Sequence, residues 1–588
     1  MDSELLVSVI IPSYNRPYFL RHRSIPSVLR QTYQNWELIV VGDGPADSQI
    51  RRAAQSFNDP RIRYVEIQRP DYSRFSPQEL WYAAGASARN QGLKEARGQI
   101  IAPLDDDDEF FDDHLLQSVL TMRREGYDFV YGSTIVRSFE TGEEKVDYFP
   151  WRDESTQRIF QNRNIIYHSS VCYAAEFRDQ EYPVDGTVPA DYGLWLRIKD
   201  AGARFGSLDD PQNVFYDDSG HGGVRLSVPS LPPLAEFEHS VKEIYQSRMV
   251  SNQGPYCRAF EKAVAEYLDV PHAIAAPSGD VALMIAFQAL RIHSPERRQV
   301  ILPSYTHPST ANAAIWSGFE IIFCDIDPAS LCLTPATVEP HLNSNTAAIA
   351  AVHPHGNPCD VEALLELAHQ HGALLLADAA AAFGAKLNGK RIGSFGDLEV
   401  FSFSGTKVLT TGEGGMVCTP HKQFADIINV VGRYGITTNY FRTSLGVNGK
   451  LAEIPAALGM AGLPYVDEWI TDRQASSRLY REQLDGVASL RFQEPINSTS
   501  AGTAKDFPII LSSPEEAERV ERALAAHGIQ TRPYYRPLHR MPSYGGTAGR
   551  LQETEKIGDC VLCVPCYGGL RREVIDLVCG VIRATINL

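Results

Sequence analysis

Short apolar runs rich in β-branched residues alternate with amphipathic stretches along the first part of the chain. Val7-Ser8-Val9-Ile10-Ile11 is one such run, stopped by Pro12, and it predicts a buried strand. The pattern then predicts a helix over 20–31, a second strand over 36–41 leading into Gly42-Asp43-Gly44, and a third strand near 62–67. A helix over 83–96 and a fourth strand over 99–104 follow. Strands alternating with helices imply an α/β domain with a largely parallel sheet. Ligands of such sheets bind beyond the carboxyl ends of the strands. Asp43 and the run that begins at Asp105 both stand at such ends.

The alternation resumes in the second half. The pattern predicts a helix over 255–268, an apolar strand over 273–276, and a helix over 281–290 opened by Ser278-Gly279. Small residues at the start of a helix leave backbone N–H groups free for a phosphate. Further on, Leu374-Leu375-Leu376-Ala377 is an apolar strand ended by Asp378. Phe401-Ser402-Phe403-Ser404-Gly405-Thr406-Lys407 then precedes the cluster Gly412, Gly414 and Gly415. A poised lysine amine can form a Schiff base with a carbonyl, and a strand-end acid can pair with a pyridinium nitrogen. Taken alone, Lys407 would be a surface lysine in a glycine-rich turn. Helices over 475–484 and 514–527 and a strand near Val561 complete a smaller subdomain. Between the halves, a Gly-rich then Pro-rich stretch over 219–234 reads as a linker, dividing the chain into domains 1–234 and 235–588.

With 588 residues the chain is too long for one compact core. Lys+Arg 55 against Asp+Glu 72 gives a net charge of −17, which argues against nonspecific nucleic-acid binding. The N-terminus lacks a basic segment followed by an apolar one, and no stretch is apolar for long enough to span a bilayer, so a cytoplasmic protein is expected. Ten cysteines in a chain of this length do not suggest a disulfide framework. Cys560, Cys563 and Cys566 read as core residues of one buried strand over 560–566, with Cys560 and Cys563 on opposite faces and unable to chelate one ion.

Asp105-Asp106-Asp107-Asp108 is the most chemically pointed feature of the first half. Adjacent carboxylates repel one another unless a cation neutralises them. Hard oxygen donors held at a strand end suit Mg²⁺ or Mn²⁺ shared with a diphosphate. The alternative is a solvated acidic loop.

Ile11-Pro12-Ser13-Tyr14-Asn15-Arg16, Asp43-Gly44, Ala88-Arg89-Asn90-Gln91-Gly92 and Leu104-Asp105-Asp106-Asp107-Asp108 together resemble family 2 glycosyltransferases of the GT-A fold. The resemblance implies that Asp105 and Asp107 hold the metal. It implies a nucleotide-sugar site formed by Pro12, Ser13, Tyr14, Asn15, Asp43, Arg89, Asp105 and Asp106. Gly42 stands where the family often has a first acid. The family's general base falls on Asp191, in Pro189-Ala190-Asp191-Tyr192-Gly193-Leu194-Trp195, although Ala190 replaces the usual Glu. Asp191 also reads as a helix N-cap. His168 and His221 are candidates for the acceptor side.

Ala276-Pro277-Ser278-Gly279, Ile301-Leu302-Pro303-Ser304-Tyr305-Thr306, Val352-His353-Pro354-His355-Gly356-Asn357-Pro358-Cys359-Asp360, Asp378-Ala379-Ala380, the Lys407 motif, Gly446-Val447-Asn448-Gly449-Lys450 and Tyr534-Tyr535-Arg536-Pro537-Leu538-His539 recur in order. They resemble the DegT/DnrJ/EryC1/StrS family of sugar aminotransferases. The resemblance implies a type I aminotransferase fold with large and small subdomains, using pyridoxal 5'-phosphate (PLP). By it, Ser278, Gly279 and Ser402 bind the cofactor phosphate, His307 lies over the ring, Asp378 pairs with the pyridinium nitrogen, and Lys407 is the Schiff-base lysine that shuttles the proton. Asn448 would reach the phosphate of a neighbouring subunit, implying a homodimer through the C-terminal half. Asp280, His307 and Ala381 depart from the family's usual Thr, aromatic and Gln, and Asp280 is expected to point away from the phosphate.

The expectation is a bifunctional enzyme. One half aminates a UDP- or dTDP-linked keto sugar with glutamate as donor. The other transfers a sugar from a nucleotide donor to an acceptor that the sequence does not name. The rivals are a glycosyltransferase carrying a silent PLP-fold scaffold, and a PLP enzyme performing elimination. Retention of Lys407, where dehydrating relatives carry His, favours transamination.

Overall fold

The computed structural model describes residues 5–14, 16–43, 49–71, 73, 75–83, 85–138, 144–217, 224–437, 441–544 and 549–586. Asn15, Gly44, His221 and the linker residues 219–223 lie outside the described residues. The chain forms two compact units, Met1–Gly223 with Ala526–Gly528, and Val224–Ala525 with Ile529–Leu588. The Pro-rich stretch 228–234 lies within the second unit.

The first unit is built on a nine-stranded mixed sheet. Its strands are β1 (Val7–Ser13), β2 (Trp36–Gly42), β3 (Ile62–Glu66), β4 (Ile100–Pro103), β5 (Glu109–Phe110), β6 (Phe129–Ser138), β7 (Glu144–Asp147), β8 (Val171–Ala174) and β9 (Phe205–Asp217). They run in the order β3-β2-β1-β4-β8-β6-β9-β5, with β7 pairing with β6. The β3-β2-β1-β4 half is parallel, and β8 turns antiparallel against β4. The continuous apolar runs of β1 and β2 follow from burial on both faces. Val9, Ile11, Leu38 and Val40 enter one core, and Ile10, Ile39, Val41 and Ile101 the other.

Local chemistry moved several expected boundaries. β1 does not stop at Pro12 but runs on to Ser13, paired with β2. On its other side β4 pairs only as far as Ile10, so the missing proline N–H breaks no ladder there. The helix expected over 20–31 is a short turn Pro17–Phe19, a π-turn Leu20–Ser24 and a helix Ile25–Leu29. Pro26 cannot donate to the carbonyl four residues back, so the ladder shifts register ahead of it. The helix expected over 83–96 forms as Ala86–Glu95, with Gly85 at φ +73° in its N-cap position, and a separate helix, Pro77–Ala83, precedes it.

The second unit carries a seven-stranded sheet of β10 (His272–Ala276), β11 (Gln299–Pro303), β12 (Glu320–Cys324), β13 (Thr346–Val352), β14 (Leu374–Asp378), β17 (Leu398–Ser402) and β18 (Gly415–Thr419). The small hairpin strands β15 (Lys386–Leu387) and β16 (Lys390–Arg391) pair with each other. The sheet order is β10-β18-β17-β14-β13-β11-β12, parallel except for β18, which runs against both its neighbours. Alternate residues again face two cores: Ile301, Ile349, Leu375 and Phe401 one, Leu302, Ala350, Leu376 and Val400 the other. The helix Pro255–Leu268 forms as expected, with Pro255 at its first turn and Cys257, Phe260, Val264 and Leu268 as its buried stripe. A smaller antiparallel sheet of β19 (Leu490–Phe492), β20 (Phe507–Leu511) and β21 (Val561–Val564) completes the unit.

The cysteine-rich segment is not one strand. Cys560 ends the helix Gln552–Cys560, Cys563 lies in β21, and Cys566 follows it. All three are buried free thiols. No helix among the described residues is long and apolar enough to cross a membrane.

Candidate functional site

In the second unit the strand register assembles the site. Gly415 pairs with both Ala276 and Ser402, which brings the ends of β10, β18 and β17 together. Ser278 caps the helix Gly279–His293, its hydroxyl accepting from the Val281 N–H at 3.2 Å. A Cβ on Gly279 would lie 2.7 Å from the Cβ of Ser402, and one on Gly415 would lie 2.4 Å from the Ser278 carbonyl oxygen. Only glycine lets the helix N-terminus, the Ser402 hydroxyl and the β18 backbone approach so closely. The result is a cradle of N–H groups, hydroxyls and a helix dipole, suited to a phosphate.

Asp378 ends β14 and is buried. Its Oδ2 accepts from Thr310 Oγ1 at 2.6 Å, and its Oδ1 from the Ala380 N–H at 3.1 Å. Thr306 Oγ1 lies 3.0 Å from Thr310 Oγ1, which fixes the donor. Lys407 lies between the Ser402 strand end and the glycine cluster. Burial, and then the nearby Lys505 ammonium, lower its amine to about 8, with Asp506, Asp378 and Asp280 opposing. His307 does not simply present an open ring face. It caps the helix Pro308–Trp316, with its Nδ1 accepting from the Ser309 N–H at 3.3 Å, and stands edge-on to Tyr535 at 6.5 Å. Loss of solvent and the Lys407 charge hold its imidazole below the usual value. Asp280 is exposed, yet its charge is felt at both Lys407 and His307.

Asn448 stands apart from this group. It is exposed, in an isolated bridge with Arg433, and among the described residues it makes no hydrogen bond to the cradle. Thr310, His355, Lys505 and Asp506 were not singled out individually in the sequence. Thr310 lies in the helix that His307 caps, and only the fold shows that it reaches Asp378. These residues fit a PLP-shaped group: a phosphate cradle, a buried acid and an amine of lowered basicity.

In the first unit the site gathers at the ends of β1, β2 and β4. Asp43 follows β2, is buried, and donates its N–H to the Ser13 carbonyl at 3.1 Å. Burial pushes its carboxyl up, against the pull of Arg69. The Arg69 guanidinium lies over the Tyr14 ring at 3.5 Å. Ser13 donates to Asp106 Oδ2 at 2.7 Å. Arg89 Nη2 donates to Asp105 Oδ1 at 2.8 Å, and His168 Nδ1 lies 3.1 Å from the same oxygen. These neighbours hold the Asp105 carboxyl well below the usual range. Asp107 pairs with Arg16 instead, and Asp108 accepts from Ser169 Oγ at 2.6 Å.

Each acid of the run thus has a protein partner, and Asp105 and Asp107 turn to different ones. Among the described residues no group of three metal-ligating side chains converges. Pro12 shapes the β1 end without offering a donor.

Asp191 is not the N-cap: the helix is Ala190–Asp200, capped from Pro189, and Asp191 lies in its first turn. Its Oδ2 accepts from Asn164 Nδ2 at 2.7 Å. Its charge acts on Arg89 and Tyr182, and Tyr182 Oη lies 3.0 Å from His168 Nε2. The fold therefore brings Asp191, Arg89, Asp105 and His168 to one place. Asn164 and Tyr182 carry no motif signal, and their roles appear only in three dimensions.

The family model for the DegT/DnrJ/EryC1/StrS aminotransferase family matches residues 234–583, and that for glycosyl transferase family 2 matches residues 8–73 and 82–179. A GDP-perosamine synthase of Caulobacter vibrioides is 34% identical over 360 residues, covering 60% of this chain and 96% of its own. A dTDP-4-amino-4,6-dideoxy-D-glucose transaminase of Shigella dysenteriae is 30% identical over 367 residues, covering 61% and 98%. Among solved structures, DesI in the presence of its TDP-sugar product is similar at TM-score 0.58 and 29% identity, covering 62% of this chain and 93% of that one.

Gly279→Ala places a methyl group against Ser402 and pushes the cradle open. The affinity for PLP should fall at least about tenfold, equivalent to ~1.4 kcal/mol, as read by fluorescence titration of the cofactor-free protein. Unchanged affinity would show that the phosphate lies elsewhere.

Proposed function

The chain belongs, across residues 234–583, to the DegT/DnrJ/EryC1/StrS aminotransferase family, joined to an N-terminal family 2 glycosyltransferase domain, and on that premise we propose that it is a bifunctional transferase of amino-sugar assembly. The second unit transfers an amino group, with glutamate as donor, to a keto sugar linked to a nucleoside diphosphate. Relatives named for GDP- and dTDP-linked sugars widen the nucleotide choice beyond the expected UDP or dTDP. The first unit transfers a sugar from a nucleotide donor to a hydroxyl acceptor.

One observation carries the amino-transfer reading. The glycine-dependent cradle and the buried Asp378 lie at the ends of neighbouring strands, and Lys407, whose amine is lowered, follows in the turn after β17. PLP, when bound, supplies a conjugated ring that stores the electron pair released at the substrate carbon. Ser278, Gly279 and Ser402 would hold its phosphate. Asp378, oriented by Thr310, keeps a negative charge at the ring nitrogen, so that nitrogen stays protonated. Lys407, with its amine near 8, has a much larger neutral fraction near neutral pH than an ordinary lysine, and so can accept and return the proton at the substrate carbon.

In the glycosyl-transfer site Asp191 is the base that takes the acceptor hydroxyl proton, with Asn164 setting the angle of its carboxylate. Arg89, held by Asp105, places a fixed positive charge beside it, suited to the departing diphosphate.

A homodimer is supported by the exposed apolar side chains of the second unit near Asn448, notably Phe441 at 71% and Leu445 at 67% exposure.

Three outcomes test this reading. The purified protein should show a yellow PLP band that glutamate bleaches and that Lys407→Ala lacks. No band after PLP addition would leave the second unit as a scaffold. Asp191→Asn should lower glycosyl transfer by at least about a hundredfold while amino transfer is unchanged, as read by product formation in separate assays. Equal transfer rates would remove Asp191 as the base. Sedimentation should find a dimer that Phe441→Glu with Leu445→Glu dissociates, and a monomeric wild type would refute the shared-site arrangement.

A further inference from the structure

The helix Val466–Leu484 carries Gln474, Ser477, Arg478 and Arg481 at spacings of three and four, so the four share one face. That face is one wall of a cavity of about 440 Å³ within the second unit. The other walls include Asn357, in the loop after β13, Gln493, which follows β19, and Phe507, the first residue of β20. The volume lies within the roughly 300–1,000 Å³ of pockets that take a small organic ligand. Ser278, Gly279, Asp378, Ser402 and Lys407 do not line it, so it is separate from the phosphate cradle. No part of the mechanism above uses it.

The amide groups of this cavity are preset as acceptors. Asn357 Nδ2 donates to the Glu494 carbonyl at 3.0 Å, Gln474 Nε2 to the Gly502 carbonyl at 2.7 Å, and Gln493 Nε2 to the Ser330 carbonyl at 2.7 Å. Each amide thus spends N–H groups on the backbone, and its oxygen accepts no hydrogen bond among the described residues. Gln493 is only 7% exposed and lines the cavity, so a donor for its oxygen has to come from within that space. A buried acceptor left without a donor is costly.

The charges around the cavity do not cancel. Asp506 is matched by Lys505 Nζ at 2.7 Å, and Glu494 by Arg481 Nη1 at 3.5 Å. Arg481 is held in place by the Gln493 carbonyl and by the Phe492 ring, 4.9 Å away. Arg478 has no ion-pair partner among the described residues. Two guanidinium groups on one helix face, one of them unmatched, suit an anion with several oxygens to share between them. Pro495, Phe507 and Pro508 add apolar surface, suited to the flat face of a base. A dicarboxylate such as glutamate would satisfy the arginines but leave that surface uncovered.

We infer that this cavity is a second ligand site of the second unit and takes a nucleoside diphosphate. Its diphosphate lies on Arg478 and Arg481, and its base and ribose donate to the oxygens of Asn357, Gln474 and Gln493. His355 also lines the cavity, and its ring stacks on Tyr535 at 5.3 Å, which in turn meets His307. The bound nucleotide therefore lies against a residue two ring contacts from the amino-transfer site. Glycosyl transfer from a nucleotide donor releases a nucleoside diphosphate, so on the reading above the site reports turnover of one unit to the other. Binding itself does not depend on that reading.

Photolabelling of the full-length chain with azido-guanosine diphosphate and azido-uridine diphosphate, read by peptide mass spectrometry, separates this cavity from the nucleotide site of the first unit. Label from either probe should appear on peptides holding residues 474–481 or 493–508. Excess unlabelled nucleoside diphosphate should remove it, and glutamate should not. Arg478→Ala with Arg481→Ala should lower that label at least about tenfold and leave label on first-unit peptides unchanged. Ser477→Trp, which fills the cavity and keeps both arginines, should do the same, with thermal melting confirming that each chain is folded. Label confined to the first unit or to cradle peptides, or label that glutamate removes equally well, would overturn the site. Label in the cavity of a chain without glycosyl transfer would keep the site and remove only its link to turnover.

Discussion

The second unit is organised by a carboxylate buried at the end of an apolar strand. Asp378 closes a strand whose other residues are apolar, so its charge sits at the edge of a low-dielectric core. An ionised group there is tolerated only when hydrogen bonds and an opposite charge compensate it. Thr310 and the Ala380 N–H supply the hydrogen bonds, and Thr306 orders Thr310. The pyridinium of a bound cofactor would supply the charge. The cradle at Gly279, Ser402 and Gly415 then sets where the phosphate end of such a cofactor lies, because those backbones approach more closely than any side chain permits.

The first unit solves a similar problem differently. Its acids stand at strand ends as a run, and mutual repulsion would open the loop if they were unpaired. The fold answers by giving each acid protein partners, with Arg16 serving two of them. Arg89 and His168 take Asp105, Ser13 and Arg16 take Asp106, Arg16 takes Asp107, and Ser169 takes Asp108. An acid run in sequence therefore became separate pairs in space. The metal motif implied by the resemblance falls on Asp105 and Asp107, which pair here with different side chains.

Most strands were legible because a strand covered on both faces needs an apolar run, and such runs are visible in one dimension. Val7 to Ile11, Trp36 to Val41 and Leu374 to Ala377 are clear cases. Helix continuity was less legible, since it turns on single residues. Pro26 shifted the ladder of a helix that the apolar pattern ran through, and Gly85 set where the next helix begins. Cys560 was placed in a strand because an apolar run does not mark where a helix ends and a strand begins. The motifs located Ser278, Asp378, Ser402 and Lys407 at element ends that the fold does bring together. Nothing local marked Thr310, Asn164 or Tyr182, whose partners lie far off in the chain.

By itself, then, the sequence determined the alternating α/β pattern and the family likeness of both halves, and it pointed to a lysine and an acid as candidates for a PLP site. These are properties of residue type and order, and short-range spacing carries them. The tertiary structure alone decided which carboxylates pair with which cations and which glycines permit close backbone contact. Those are matters of distance between residues remote in sequence. Electrostatic energy depends on separation and burial, and neither is written into the order of residues along the chain.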